Sequence, residues 1–263
     1  MKIDHKDSYT DFGEQFVVDN KVDEFHGSKE LLEDIVRPFN LELIKNKVIM
    51  EVGSGSGRIL KNLLKFNPKK ITGVEPSKAI NIAKKNNEES KKIIFKNIKA
   101  ENLNDIKKYD FVFSLGVIHH IPDYKKVCKN IYNSLKNDGK FICWVYGYEG
   151  NELYIFIFNN LRRLTILMPD FLLRFLCNIL NITLYIYIFL CKFLSLPLKD
   201  YLLNVFTKCS YSKRNYIIFD QLNPSFSKYF RKEEISQLMK MSGFKEVKLQ
   251  RRHKYSWTII SKK

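Results

Sequence analysis

The sequence contains five cysteines, Cys128, Cys143, Cys177, Cys191 and Cys209, with no C-x-x-C pair among them and no histidine at metal-ligand spacing. Neither a zinc or other metal site nor a disulfide framework is indicated. The segment Met1-Lys2-Ile3-Asp4-His5-Lys6-Asp7 lacks the apolar core of a secretory signal, so a cytoplasmic protein is expected. Acidic residues are scarce: 28 Asp and Glu stand against 45 Lys and Arg, a formal charge of +17. The excess is uneven, since residues 151–263 hold 19 Lys and Arg against 7 Asp and Glu, or +12. Arg-rich runs and basic stretches interleaved with aromatics are both missing, so the lysines read as solvated faces and nucleic acid is not expected as a partner. What is present points to a packed domain, because 45% hydrophobic and 14% aromatic residues exclude a disordered chain. The length suits one α/β domain plus an insertion.

The most informative stretch is Lys47-Val48-Ile49-Met50-Glu51-Val52-Gly53-Ser54-Gly55-Ser56-Gly57-Arg58. A short apolar run is followed by three glycines on alternate positions and then by the helical pattern Ile59, Leu60, Leu63, Leu64, which is a strand, a tight turn and a helix start. Glycine has no Cβ, so such a turn lets backbone approach a ligand. Glu75 closes a second strand, Ile71-Thr72-Gly73-Val74-Glu75, and an acid there can accept from ribose hydroxyls. A dinucleotide fingerprint would need its third glycine where Arg58 stands, which excludes that reading.

Three motifs, Glu51-Val52-Gly53-Ser54-Gly55-Ser56-Gly57, Gly73-Val74-Glu75-Pro76-Ser77 and Ser114-Leu115-Gly116-Val117-Ile118-His119-His120-Ile121-Pro122-Asp123, resemble the class I S-adenosylmethionine-dependent methyltransferases. More narrowly they resemble the bacterial small-molecule group related to quinone-biosynthesis enzymes. The resemblance implies S-adenosyl-L-methionine as cofactor, held by Gly53, Ser54, Gly55 and Gly57, by Glu75 and Pro76, by Ala100 and Glu101 near the adenine, and by Ser114 and Leu115 near the methionyl end. Lys99 stands where the family usually has Asp, which shifts adenine recognition to backbone or to Glu101. His119 and His120 are the candidate general bases, against a reading in which they are packed structural residues. Methyl transfer needs orientation more than a covalent residue, so the lack of a triad is no objection. Asp220 is a further pocket candidate by position, or else a turn residue before Pro224. Asn223-Pro224-Ser225-Phe226 looks like the signature of enzymes that methylate exocyclic amines in nucleic acid, but it lies over a hundred residues beyond the fourth strand and reads as a loop.

Along the chain, strands at Lys92–Lys96, Tyr109–Ser114 and Lys140–Tyr146 alternate with helices at Ser77–Asn87 and Asp123–Leu135, which means a parallel sheet covered on both faces. Residues 151–210 break the pattern with long apolar runs. Within them Arg174, Asn178, Asn181, Tyr185, Lys192 and Ser195 form one polar stripe on a helix otherwise apolar all round. A helical cap over the catalytic face is expected, with peripheral membrane contact through 153–198 as the alternative. The sheet pattern returns from Tyr216, with a helix over Arg231–Met241 and a closing hairpin.

The expected fold is α/β, a Rossmann-like seven-stranded mostly parallel sheet with helices on both faces and a helical insertion after the fifth strand. Its divisions are an N-terminal lid or arm (1–46), a cofactor-binding core (47–150), the cap (151–210) and the C-terminal part of the core (211–263). The expected activity is transfer of a methyl group to a small-molecule or lipid-linked acceptor, in the cytoplasm or at the inner face of the membrane. Two alternatives stand beside it, an RNA methyltransferase using the basic C-terminal half and a non-catalytic, membrane-associated cofactor-binding protein.

Overall fold

The structure, a computed structural model, describes Tyr9 and residues 25–224 and 226–263. The proposed lid over Tyr9–Phe16 falls outside the described residues, Tyr9 apart. Helix α1 (Lys29–Val36) starts on Ser28, whose hydroxyl accepts from the Leu31 amide. The first half of the sheet domain follows as β1 (Val48–Val52), α2 (Arg58–Leu64), β2 (Lys70–Val74), α3 (Ala79–Asn86), β3 (Ile93–Lys96), β4 (Tyr109–Leu115), α4 (Tyr124–Ser134) and β5 (Leu135–Tyr146). Four helices then run without a strand: α5 (Glu152–Thr165), α6 (Asp170–Phe193), α7 (Lys199–Asn204) and α8 (Tyr211–Leu222). The chain closes with α9 (Lys232–Ser242), β6 (Glu246–Arg252) and β7 (Ser256–Lys262).

The seven strands form one sheet in the order β3-β2-β1-β4-β5-β7-β6. Pairs from β3 through β5 are parallel, and β7 runs antiparallel to both β5 and β6. Period-two alternation divides neighbouring residues between two apolar layers. Met50, Val112 and Phe141 join the layer under α4 and α9, while Ile49, Phe113 and Ile142 join that under α1 and α2. Both faces are thus covered, as a parallel sheet requires. Asn137-Asp138-Gly139 lies within β5 at a register shift, Tyr109 pairing Leu135 and Phe111 pairing Lys140.

The insertion has its own small core, in which Leu173, Cys177 and Ile188 of α6 meet Leu202, Phe206, Ile218, Phe219 and Leu222. Residues 211–222 are helix α8, where the sheet pattern is expected to return from Tyr216, and their apolar side packs on α6. A short apolar run cannot be told from a strand by periodicity alone.

Candidate functional site

The carboxyl ends of β1, β2, β4 and β5 open into a cavity of about 310 Å³. This is where ligands lie in open α/β sheets. One wall is the glycine turn. Gly53 has φ 77°, and a Cβ there would sit 2.4 Å from a Val117 methyl. Gly57 caps α2 in the left-handed conformation, and a Cβ would meet the Asn87 side-chain amide at 2.4 Å. Glycine is the residue without strain at such angles.

Six of the ten residues expected to bind cofactor line the cavity: Gly53, Ser54, Gly55, Glu75, Pro76 and Leu115. The other four do not line it. Gly57 packs against α3 instead. Ser114 is fully buried, its hydroxyl 3.3 Å from the Val52 carbonyl, because it points to the opposite side of β4 from Leu115. Ala100 and Glu101 form a short turn whose carbonyls accept from the Asn130 amide at 3.2 and 2.9 Å, and the Glu101 carboxylate accepts from the Tyr9 hydroxyl.

Glu75 is already engaged. One carboxylate oxygen accepts from the Gly55 amide at 2.9 Å, the other from the Ser77 amide at 3.0 Å and the Ser77 hydroxyl at 2.6 Å. A carboxylate offers about four acceptor positions, so roughly one remains until the Ser77 hydroxyl turns away. Glu51 behaves differently. It lines the cavity, and its Oε2 is buried with no hydrogen-bond partner among the described residues. Burial pushes its carboxyl up to about 8, with Arg58 opposing and the nearby Glu75 charge adding. The Ser54 hydroxyl is likewise buried, unpartnered and on the cavity wall. An orphaned acid and hydroxyl beside a glycine cradle fit a ligand that carries both a cation and hydrogen-bonding groups. Glu51 is not among the residues that the sequence marks for the cofactor. Period two from the apolar Met50 was the available signal that its side chain leaves that layer.

The two histidines separate. His119 is fully buried and lies outside the cavity lining, with neither ring nitrogen hydrogen-bonded among the described residues. It is packed at 4.0 Å from the Tyr146 ring and 4.2 Å from His120, and burial, with His120 adding, holds it well below its usual range. His120 does line the cavity, its Nδ1 3.1 Å from the Phe226 carbonyl. That bond selects the Nδ1–H tautomer, which leaves Nε2 as the basic nitrogen. Burial lowers His120 to about 4, the Phe226 bond opposing and Arg162 adding. Such a base has little driving force at neutral pH.

The opposite wall is aromatic. Tyr146 at the end of β5, Tyr154 of α5, Tyr201 of α7 and Tyr229 all line the cavity, with Asp220 and Gln221 of α8. Gln221 organises them: its amide donates to Tyr146 Oη at 2.8 Å and its carbonyl accepts from Tyr154 Oη at 2.8 Å. Tyr146 stacks on Tyr229 with ring centroids 5.6 Å apart. Residues of α5, α7 and α8 thus line the cavity, while no residue of α6 does. Tyr146 was legible from its strand end; the cap tyrosines were not, since only the packing of α8 brings them there.

A family model described as a methyltransferase domain matches residues 50–143. Among curated proteins, the tRNA U34 carboxymethyltransferase of Nautilia profundicola is 34% identical over 123 residues, which cover 45% of this chain and 40% of that protein. The chain thus matches well under half of that relative's length. Among solved structures, an S-adenosylmethionine-dependent methyltransferase from Mesorhizobium loti shares the fold at TM-score 0.55 and 11% identity, over 91% of this chain and 100% of that one. Human N-acetylserotonin methyltransferase in complex with S-adenosylmethionine does so at TM-score 0.53 and 13% identity, over 89% and 53%. The narrower likeness to quinone-biosynthesis enzymes gains no support from these relatives. Residues 50–143 of this chain thus match a methyltransferase domain, and the fold around them is one that these S-adenosylmethionine-dependent methyltransferases share.

Proposed function

We propose that the chain modifies RNA, transferring a one-carbon group from an S-adenosyl sulfonium to a base of tRNA. The observation that carries this is the 34% identity over 123 residues to a protein named tRNA U34 carboxymethyltransferase. It corrects the expectation of a small-molecule or lipid-linked acceptor, with nucleic acid not expected, and favours the alternative of an RNA methyltransferase. That expectation rested on motifs that hold the donor, and donor motifs say nothing about what lies across the pocket. The +12 of residues 151–263 is the supporting charge, since cations that neutralise phosphates supply most non-specific affinity for nucleic acid.

In this reading S-adenosylmethionine supplies an activated methyl carbon on a sulfonium. The Gly53–Ser56 backbone gives it close approach, the Glu51 carboxylate balances its positive charge, and Glu75 accepts from a ribose hydroxyl. Tyr146, Tyr154 and Tyr229 give the acceptor base a rigid aromatic wall, fixed by Gln221, against which a ring can stack. His120, neutral at pH 7, is placed to accept a proton through Nε2, and its low basicity limits that contribution. Orientation by these walls carries most of the rate. For location we propose the cytoplasm, with a position at a membrane surface as the finer reading, supported by the outward apolar face of α6.

The test is to incubate the full chain with methyl-labelled S-adenosylmethionine and bulk tRNA, digest to nucleosides and weigh them. A nucleoside heavier by one methyl is expected. Donor binding without label in tRNA overturns the acceptor; no binding of S-adenosylhomocysteine by calorimetry overturns the site itself.

A further inference from the structure

Helix α6 packs inward through Leu173, Cys177, Ile188 and Cys191 and through part of its polar stripe. Asn181 donates to the Tyr211 carbonyl of α8 at 3.1 Å and to the Asn215 side chain at 2.8 Å. Asn178 accepts from Asn215 at 2.7 Å and from the Tyr211 hydroxyl at 3.3 Å, and the Arg174 guanidinium lies 4.8 Å from the Phe219 ring. The solvent-facing side carries Phe171, Phe175, Ile179, Ile182, Ile186, Phe189 and Phe193, at steps of four and three, each between 44% and 75% exposed. They form one ridge about 33 Å long on a 24-residue helix. Helix α5 adds exposed Leu153, Phe156, Ile157 and Leu164. Monomeric proteins rarely leave so large an apolar surface in water.

We propose that this ridge of α6, together with the exposed apolar residues of α5, docks on a bilayer that contains anionic lipid. Three observations choose that occupant. Cations border the ridge, with Arg163 before it and Lys192 at its end, while Asp170 is the one acidic residue from Leu153 to Lys199, a pattern that complements anionic headgroups. A second copy would bring two chains of formal charge +17 together with almost no acid on the ridge to pair across it, and large like charge opposes self-association. A spanning orientation is disfavoured by α8, which packs along α6 and carries Lys213 and Arg214. The ridge therefore lies along the membrane surface, buried to the depth of its side chains.

This inference rests on the membrane-surface reading of location and is independent of the acceptor. The test is flotation of the full chain, synthesised in the presence of vesicles, using phosphatidylethanolamine with phosphatidylglycerol or phosphatidylcholine alone; it needs neither donor nor tRNA. The chain is expected to float with the anionic vesicles. The triple variant Phe175→Ser, Ile179→Ser, Ile182→Ser is expected to bind at least about tenfold more weakly, with unchanged circular dichroism and melting temperature because all three side chains point outward. Lys192→Glu is expected to weaken binding by about fivefold. Wild type that stays at the bottom of the gradient with both vesicles overturns the proposal, as does a discrete dimer by light scattering that does not float. Equal binding of wild type and triple variant overturns the assignment to this ridge.

Discussion

In the sheet domain the buried polar side chains of Glu51, Ser54 and Glu75 meet at one cavity, between two apolar layers. In the insertion Asn178 and Asn181 bond to α8 beside the buried Leu173, Cys177 and Ile188, and seven large apolar residues face outward. The same force governs both, since a polar group removed from water must find a partner. In the sheet domain the unpartnered groups Glu51 and Ser54 face a cavity, which implies a ligand. In the insertion Asn181 donates to α8 and Asn178 accepts from it, while the outward apolar area lacks a partner among the described residues, which implies an apolar surface. A missing hydrogen bond and a missing apolar contact thus call for different occupants.

Breaking the glycine turn should have the largest effect. Gly53→Val puts a branched side chain at φ 77°, where even a Cβ meets Val117 at 2.4 Å. Backbone strain of this kind costs about 1–3 kcal/mol before the clash is counted. Binding of S-adenosylhomocysteine should fall below detection by calorimetry, together with a lowered melting temperature; retained affinity would show that the turn does not cradle the donor.

Glu51 gives a pH signature that the insertion cannot. Its carboxyl titrates at about 8 in the folded chain, against an ordinary value of 4.5. The folded state thus holds the proton over a range where the unfolded one has lost it, so stability of the ligand-free protein falls as pH rises from about 4.5 toward 8. Donor affinity should run the other way, rising by up to about tenfold per pH unit below 8 as the carboxylate forms. Calorimetric titration of wild type and Glu51→Gln from pH 6 to 9 checks this, the variant being flat; parallel curves would remove Glu51 from the site.

The hairpin latch is next. Burial of Asp34 would raise its carboxyl, but His253 and Arg252 hold it at about 2, with Arg252 itself on the cavity wall. A depressed acid stabilises the fold above its ordinary 3.8 and loses that contribution as pH falls toward 2. Asp34→Asn should cost roughly 2 kcal/mol at pH 7 and flatten the acid limb of a denaturation series.

The smallest effects separate the two faces of α6. Asn181→Leu, which leaves Asn215 and a carbonyl unpaired, should cost about 1–3 kcal/mol, whereas Phe175→Ser should change stability in detergent-free buffer by less than about 0.5 kcal/mol. Chemical denaturation of both variants checks the pair. The reverse ranking would mean that α6 is packed the other way round.

The sequence by itself determined the sheet and half of its site. Strand-helix alternation and the position of Gly53, Gly55 and Glu75 follow from local rules, because a strand end, a positive φ and a helix start are properties of neighbouring residues. Arg58 excluded a dinucleotide for the same reason. It also revealed the polar stripe on α6, but not which way the stripe faces, since periodicity gives an angle without an origin. Only the tertiary structure turned that stripe toward α8, extended the helical layer to Leu222 and brought Tyr154, Tyr201 and Gln221 over the cavity. It also sent Ser114 and His119 away from the cavity, because which face of a strand or turn meets a ligand depends on what packs against the other.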